Sequence, residues 1–271
     1  MQRAVKAVSV CRFLALVLAF VATGSRGAEP ASVVQVCYET WDPYIFKDDS
    51  GKLQGIAIEL MNTALDELGL VASYEELPFK RCIADVRAGV EDIAIPVTEG
   101  RGYLLHSQTA FAHWTLAAIV PDSLAISSPI SLDALNDLSV IMISGYEYPD
   151  HISQWAKSHP DIAEVTYSAD GQGLVPFRML EFGRADVFIE DSFWSAQLIE
   201  THDLNLRVLE PALDSAISVA GYRAELAGLR DDIDRVLRAR GQSFRDALFI
   251  KYTGHPESYF SGQSGSAAIL R

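Results

Sequence analysis

The residues able to do chemistry are dispersed along this chain of 271 residues, and their spacing argues against most catalytic classes. Six histidines stand at 106, 113, 151, 159, 202 and 255, none in an HExxH or His/Cys ligand pattern, so no metal site is expected. Gly262-Gln263-Ser264-Gly265 has no strand before it and does not form a nucleophile elbow. Gly171-Gln172-Gly173 precedes a helical stretch whose N-terminus could hold an anion. Pro176 stands where the third glycine of a dinucleotide loop belongs, however, and a plain turn is the simpler reading. No cofactor is expected. The formal charge of -14 removes the positive footprint that nucleic acid or an anionic bilayer needs, so neither is an expected partner.

The chain opens with an address. Arg3, Lys6 and Arg12 precede an apolar run from Phe13 to Ala22 and the small residues Ser25 and Gly27, so 1–27 reads as a cleaved secretory signal, too short in its apolar part to span a bilayer. The segment holds four of the 22 basic residues and none of the acids, so its product is more acidic still. Cys11 lies ahead of the apolar run, where a lipid-attachment cysteine does not. The two cysteines left in the exported chain, Cys37 and Cys82, suggest one disulfide, with two buried free thiols as the alternative.

The elements that must position any site alternate. Val33–Tyr38 reads as a strand. Ile56, Leu60, Met61, Ala64, Leu65 and Leu68 recur at helical spacing, with Gly69 at the C-cap position. Val71–Leu77 is a second strand. Pro78 breaks the chain before a helix with Ile83, Val86 and Val90 on its buried stripe, and the strand Ile93–Val97 follows. Strand-helix alternation means a parallel sheet covered by helices. His113–Val120 is a further strand, and the alternation then resumes. Val140–Ser144, Glu164–Tyr167 and Ala185–Glu190 are strands, separated by helices over His151–Ser158 and Leu174–Phe182. Ala216–Tyr222 is a late strand. An amphipathic helix through Leu226, Leu229, Ile233, Val236 and Leu237 follows it, then a last helix from Phe244 to Tyr252, with 255–271 as a frayed tail.

A set of segments recurs in a fixed order. Trp41-Asp42-Pro43-Tyr44-Ile45-Phe46 follows the first strand, and Gly51-Lys52-Leu53-Gln54-Gly55-Ile56 leads into Glu59-Leu60. Later come Gly89-Val90-Glu91-Asp92-Ile93-Ala94, Thr98-Glu99-Gly100-Arg101, Val140–Gly145, and the stretch from Gly183-Arg184-Ala185-Asp186 to Glu190-Asp191. With the signal in front, this order resembles the periplasmic solute-binding proteins of ABC importers, polar amino-acid type (extracellular solute-binding proteins, family 3), over Val33 to Gly254. The resemblance implies an α/β, two-lobed periplasmic-binding-protein-like fold of type II, each lobe a mainly parallel sheet flanked by helices, joined by two hinge strands. Lobe 1 would span 28–120 and 215–254, and lobe 2 would span 121–214.

The same resemblance implies the site. Arg101, after the Thr98-Glu99 pair, would clamp a ligand carboxylate, a task suited to the planar fork of a guanidinium. Asp191 would hold the ligand ammonium, although Asp is also a common helix N-cap. Trp41, Tyr44 and Phe46 would flank the ligand, and Gly145 with Tyr146 would form the second-lobe turn that donates backbone N–H groups. Pro96-Val97 stands where hydroxyl-bearing residues usually meet the amine, so a small carboxylate lacking that amine is an alternative to an amino acid. The implied function is non-catalytic capture of a small molecule in the periplasm for an inner-membrane ABC permease, by a monomer that is not itself an integral membrane protein. Two alternatives remain. One is an enzyme on this scaffold, a cyclohexadienyl dehydratase relative using Glu39, Glu99, Glu147 or Glu190 as acid or base. The other is a sensory module without a transporter.

Overall fold

The computed structural model describes residues 32–98, 102–126, 128, 130–159, 161–165 and 173–261. The leader, the Glu99-Gly100-Arg101 segment, Gly171-Gln172 and the tail from 262 onward lie outside them.

Three parallel strands begin the fold: β1 (Val33–Tyr38), with β4 (Val71–Glu76) on one side and β5 (Ile93–Thr98) on the other. Their connections are α1 (Ile56–Glu67) and α2 (Phe79–Ala88), while β2 (Phe46–Lys47) and β3 (Leu53–Gln54) form a small hairpin ahead of α1. Gly55 starts α1 at φ 125, and a Cβ there would lie 2.3 Å from the Tyr44 carbonyl oxygen, so only glycine fits this close turn. Gly89 ends α2 in the left-handed conformation.

A second parallel group consists of β7 (Val140–Ile143), flanked by β8 (Ala163–Val165) and β9 (Val187–Asp191). Its helices are α3 (Asp150–Lys157), α4 (Val175–Glu181) and α5 (Ser192–Thr201). Between the groups run two long strands, β6 (Leu105–Pro121) and β11 (Asp214–Tyr222), antiparallel to each other. β11 pairs with β5, β6 with β9, and the short β10 (Leu206–Val208) with β6. One nine-stranded sheet results, in the order β4-β1-β5-β11-β6-β9-β7-β8 with β10 beside β6.

Strand alternation gives each group two cores. In the first, Val36, Tyr38, Ile93 and Ile95 pack under α1 and α6 (Ala227–Thr253), while Cys37, Ala94 and Val97 face Ile83 and Val86 of α2. In the second, Val140, Met142, Val187 and Ile189 lie on one face, and Ile141, Ile143 and Phe188 on the other with Phe177 and Leu180 of α4. The long strands serve both groups: Phe111 and Ala112 of β6 belong to the first core, whereas Trp114, Leu116, Ala118 and Val120 belong to the second.

Several expectations change in extent. β6 begins at Leu105 rather than His113, and β2, β3 and β10 are additional. The two C-terminal helices join into α6, broken only at Gly241, where φ is 74 and ψ is 178. The tail is not frayed from 255: α7 (Glu257–Ser261) follows, with Glu257 and Phe260 buried. The cysteines form a disulfide, Cys37–Cys82, tying β1 to α2. Among the described residues no helix is long and apolar enough to cross a membrane.

Candidate functional site

One cavity lies at the carboxyl ends of the parallel strands, walled by both groups, the place where open α/β sheets present ligand sites. From the first group come Glu39, Thr40 and Trp41 after β1, Phe79 at the start of α2, and Pro96 and Thr98 of β5. The second group adds Tyr146 and Glu147 after β7, Glu190 of β9, and Trp194 of α5. Trp114 and Ser218 from the two long strands form the floor.

The walls touch across the cavity. Tyr146 donates its hydroxyl to Glu39 Oε2 at 2.8 Å, and its ring meets Phe79 edge-on at 5.5 Å. Thr98 Oγ1 reaches Glu147 Oε2 at 3.4 Å, and outside the cavity Lys80 Nζ donates to Ser144 Oγ at 2.7 Å. The other oxygen of Glu39 accepts from the Phe79 N–H at 3.1 Å. Burial pushes the Glu39 carboxyl up, and these two hydrogen bonds only partly offset it. Glu190 Oε1 accepts from Trp114 Nε1 at 3.2 Å and from the Asp191 N–H at 2.8 Å.

Of the residues expected from sequence, Trp41, Thr98 and Tyr146 line the cavity. Gly145 lies beside it, at φ 92, with Lys80 packed over it and both residues lining a separate surface groove. Tyr44 is buried in the first core, its hydroxyl donating to the His113 carbonyl at 2.9 Å, and Phe46 packs against Tyr252 at 5.9 Å. Asp191 is fully buried as the N-cap of α5: Oδ1 accepts from the Trp194 N–H at 2.8 Å and Oδ2 from the Thr115 N–H at 3.0 Å. Burial raises its pKa to about 6 against the pull of those N–H groups. Its chain neighbour Glu190 faces the cavity instead, because successive strand residues point to opposite faces. Arg101 lies outside the described residues. Phe79, Trp114, Trp194 and Ser218 had no motif to mark them; their one sequence signal is position, at a strand's end or just after the Pro78 break.

A cavity shared by two α/β units on common strands defines a two-lobed solute-binding scaffold. The chain belongs to the bacterial extracellular solute-binding proteins, family 3, whose model matches residues 34–243. No curated protein matches the sequence. Among solved structures, a putative L-cystine ABC transporter protein from Listeria monocytogenes is 21% identical, with a TM-score of 0.69 over 84% of this chain and 99% of that one. An ancestral arginine-binding protein bound to glutamine is 20% identical, with a TM-score of 0.70 over 84% and 100%. A histidine kinase sensor domain with similarity to periplasmic binding proteins is 16% identical, with a TM-score of 0.72 over 83% and 98%.

Proposed function

We propose that this chain, exported to the periplasm after loss of residues 1–27, captures an amino acid or a related small carboxylate between its two lobes and delivers it, unchanged, to an inner-membrane ABC permease. The observation that carries the reading is the cavity walled by Glu39, Trp41 and Thr98 on one side and by Tyr146, Glu147 and Trp194 on the other. Neither wall alone surrounds a ligand, so binding and closure are one event. Lobe 1 is assigned to 28–120 with 215–254 and lobe 2 to 121–214, the hinge running through β6 and β11. Arg101, three residues beyond Thr98, clamps the ligand carboxylate, and the Gly145 turn offers backbone donors. The neighbours named for cystine and arginine support the amino-acid class.

Native mass spectrometry of the purified monomer, followed by denaturing release, tests the reading. One small carboxylate per chain, recovered unchanged and bound again with a Kd that rises at least tenfold in Arg101→Ala, supports it. Turnover of the added solute, or an unchanged Kd in that variant, contradicts catalysis-free capture or the clamp, respectively.

A further inference from the structure

We infer that α7 (Glu257–Ser261) braces the hinge, tying the crossing strand β6 and the first group to α5 of the second, and that Phe260, which does not line the cavity, thereby positions Trp194 in the cavity wall. The inference rests on the reading of β6 and β11 as the hinge and holds whatever the solute is.

Glu257 anchors the helix. It is 7% exposed, and its carboxylate accepts from Arg245 Nε at 2.7 Å and from Gln242 Nε2 at 2.9 Å and also contacts Arg245 Nη2. Its own N–H donates to Asp246 Oδ1 at 3.2 Å, so all three of these partners belong to α6. The same carboxylate lies 2.9 Å from His113 Nε2. His113 marks the place where β6 changes cores: Ala112 before it packs in the first group and Trp114 after it in the second. Its carbonyl accepts from the Tyr44 hydroxyl at 2.9 Å, so this point of the strand is held at both side chain and backbone.

Phe260 completes the span. It is 3% exposed, and its ring meets that of Phe249 in α6 at 5.5 Å and that of Phe193 in α5 at 5.4 Å, separations at which aromatic pairs attract. Phe193 belongs to a helix of the second group yet packs against the first core. Trp194, the next residue, lines the cavity with its N–H held by Asp191 Oδ1 at 2.8 Å. Two strands alone bend easily. A buried charged anchor on one of them, joined to a ring pair that reaches α5, restricts the angles that the two groups sample.

The test labels the mature full chain at Asp66→Cys on α1 and Lys157→Cys on α3, frees it of solute by unfolding and refolding without reductant, and reads the distance distribution between the spin labels. Phe260→Ala and Phe193→Ala are each expected to widen the distribution about 1.5-fold or more, and the double variant no further than either, because both remove the same contact. Val86→Ala, in the other core of the first group, controls for lost stability and should leave the width unchanged. The emission lost on Trp194→Phe isolates that indole, and acrylamide should quench it about twofold more strongly in Phe260→Ala. Should Phe260→Ala fail to fold, Phe260→Leu is read the same way. An unchanged width in both variants, widening that adds in the double variant, or equal widening in Val86→Ala overturns the brace. Widening with unchanged quenching overturns the positioning of Trp194. Widened variants beside a wild type that does not respond to the solute released from the purified protein uphold the brace and overturn the capture reading.

Discussion

Asp191 and Glu190 show how one peptide step divides two tasks. Asp191 gives both carboxylate oxygens to backbone N–H groups of Thr115 and Trp194, so it belongs to the scaffold beneath the cavity. Asp191→Ala is expected to lower the unfolding free energy by about 2 kcal/mol through the lost cap and a stranded N–H, measured by urea titration without ligand. A change confined to ligand affinity would contradict the capping role. Glu257 makes a different electrostatic statement. Burial works to raise its pKa, but Arg245, His113 and Gln242 outweigh it and hold the carboxyl at about 2. A carboxyl depressed on folding stabilises above its unfolded pKa and loses that contribution as pH falls through its folded one. Between about pH 4.5 and 2 the protein should therefore lose up to about 3 kcal/mol that Glu257→Gln lacks at every pH. Parallel pH curves for the two proteins would contradict this. Asp191 runs the other way: its raised pKa means its contribution declines as pH rises from about 4 to about 6.

At the level of elements, most of the longer strands were legible, and the polar first part of β6 was not. The first part of β6 contains Ser107, Gln108 and Thr109, which no hydrophobic pattern marks. They are accommodated because buried Asp234 of α6 accepts from the Gln108 and Thr109 N–H groups, and Ser107 Oγ accepts from the Ala220 N–H. Such partners lie more than a hundred residues away, beyond any local reading. The same limit hid the cavity's floor: Trp114 reads as strand core, and only the pairing of β6 with β11 sets it beside Ser218. Trp41, Thr98 and Tyr146, expected through the family resemblance, line the cavity, whereas Tyr44, expected on the same ground, is buried in the first core and Phe46 packs against Tyr252. The disulfide joins β1 to α2 immediately behind Glu39 and Phe79, across a separation of 45 residues. Cys37→Ser with Cys82→Ser should cost about 4 kcal/mol by the loop-closure estimate. Thiol-specific labelling that modifies both cysteines in the untreated native protein would contradict the bond.

For the whole molecule, the arrangement of cores matters more than the single sheet that links them. Each parallel group is packed on both faces by its own helices, and among the described strands β6 and β11 are the two that supply residues to cores of both groups. Bending two strands costs far less than breaking a packed layer, so these crossings are the natural hinge. Among the described residues the contacts that span the cavity are both polar and aromatic: Tyr146 to Glu39, Thr98 to Glu147, and the ring of Tyr146 against that of Phe79. Spin labels at Asp66→Cys on α1 and Lys157→Cys on α3, both exposed positions, report this directly through the distance between them. Adding back the solute released from the purified protein should shorten and narrow the distance distribution. A distribution that stays the same at saturating solute would contradict capture between two moving halves.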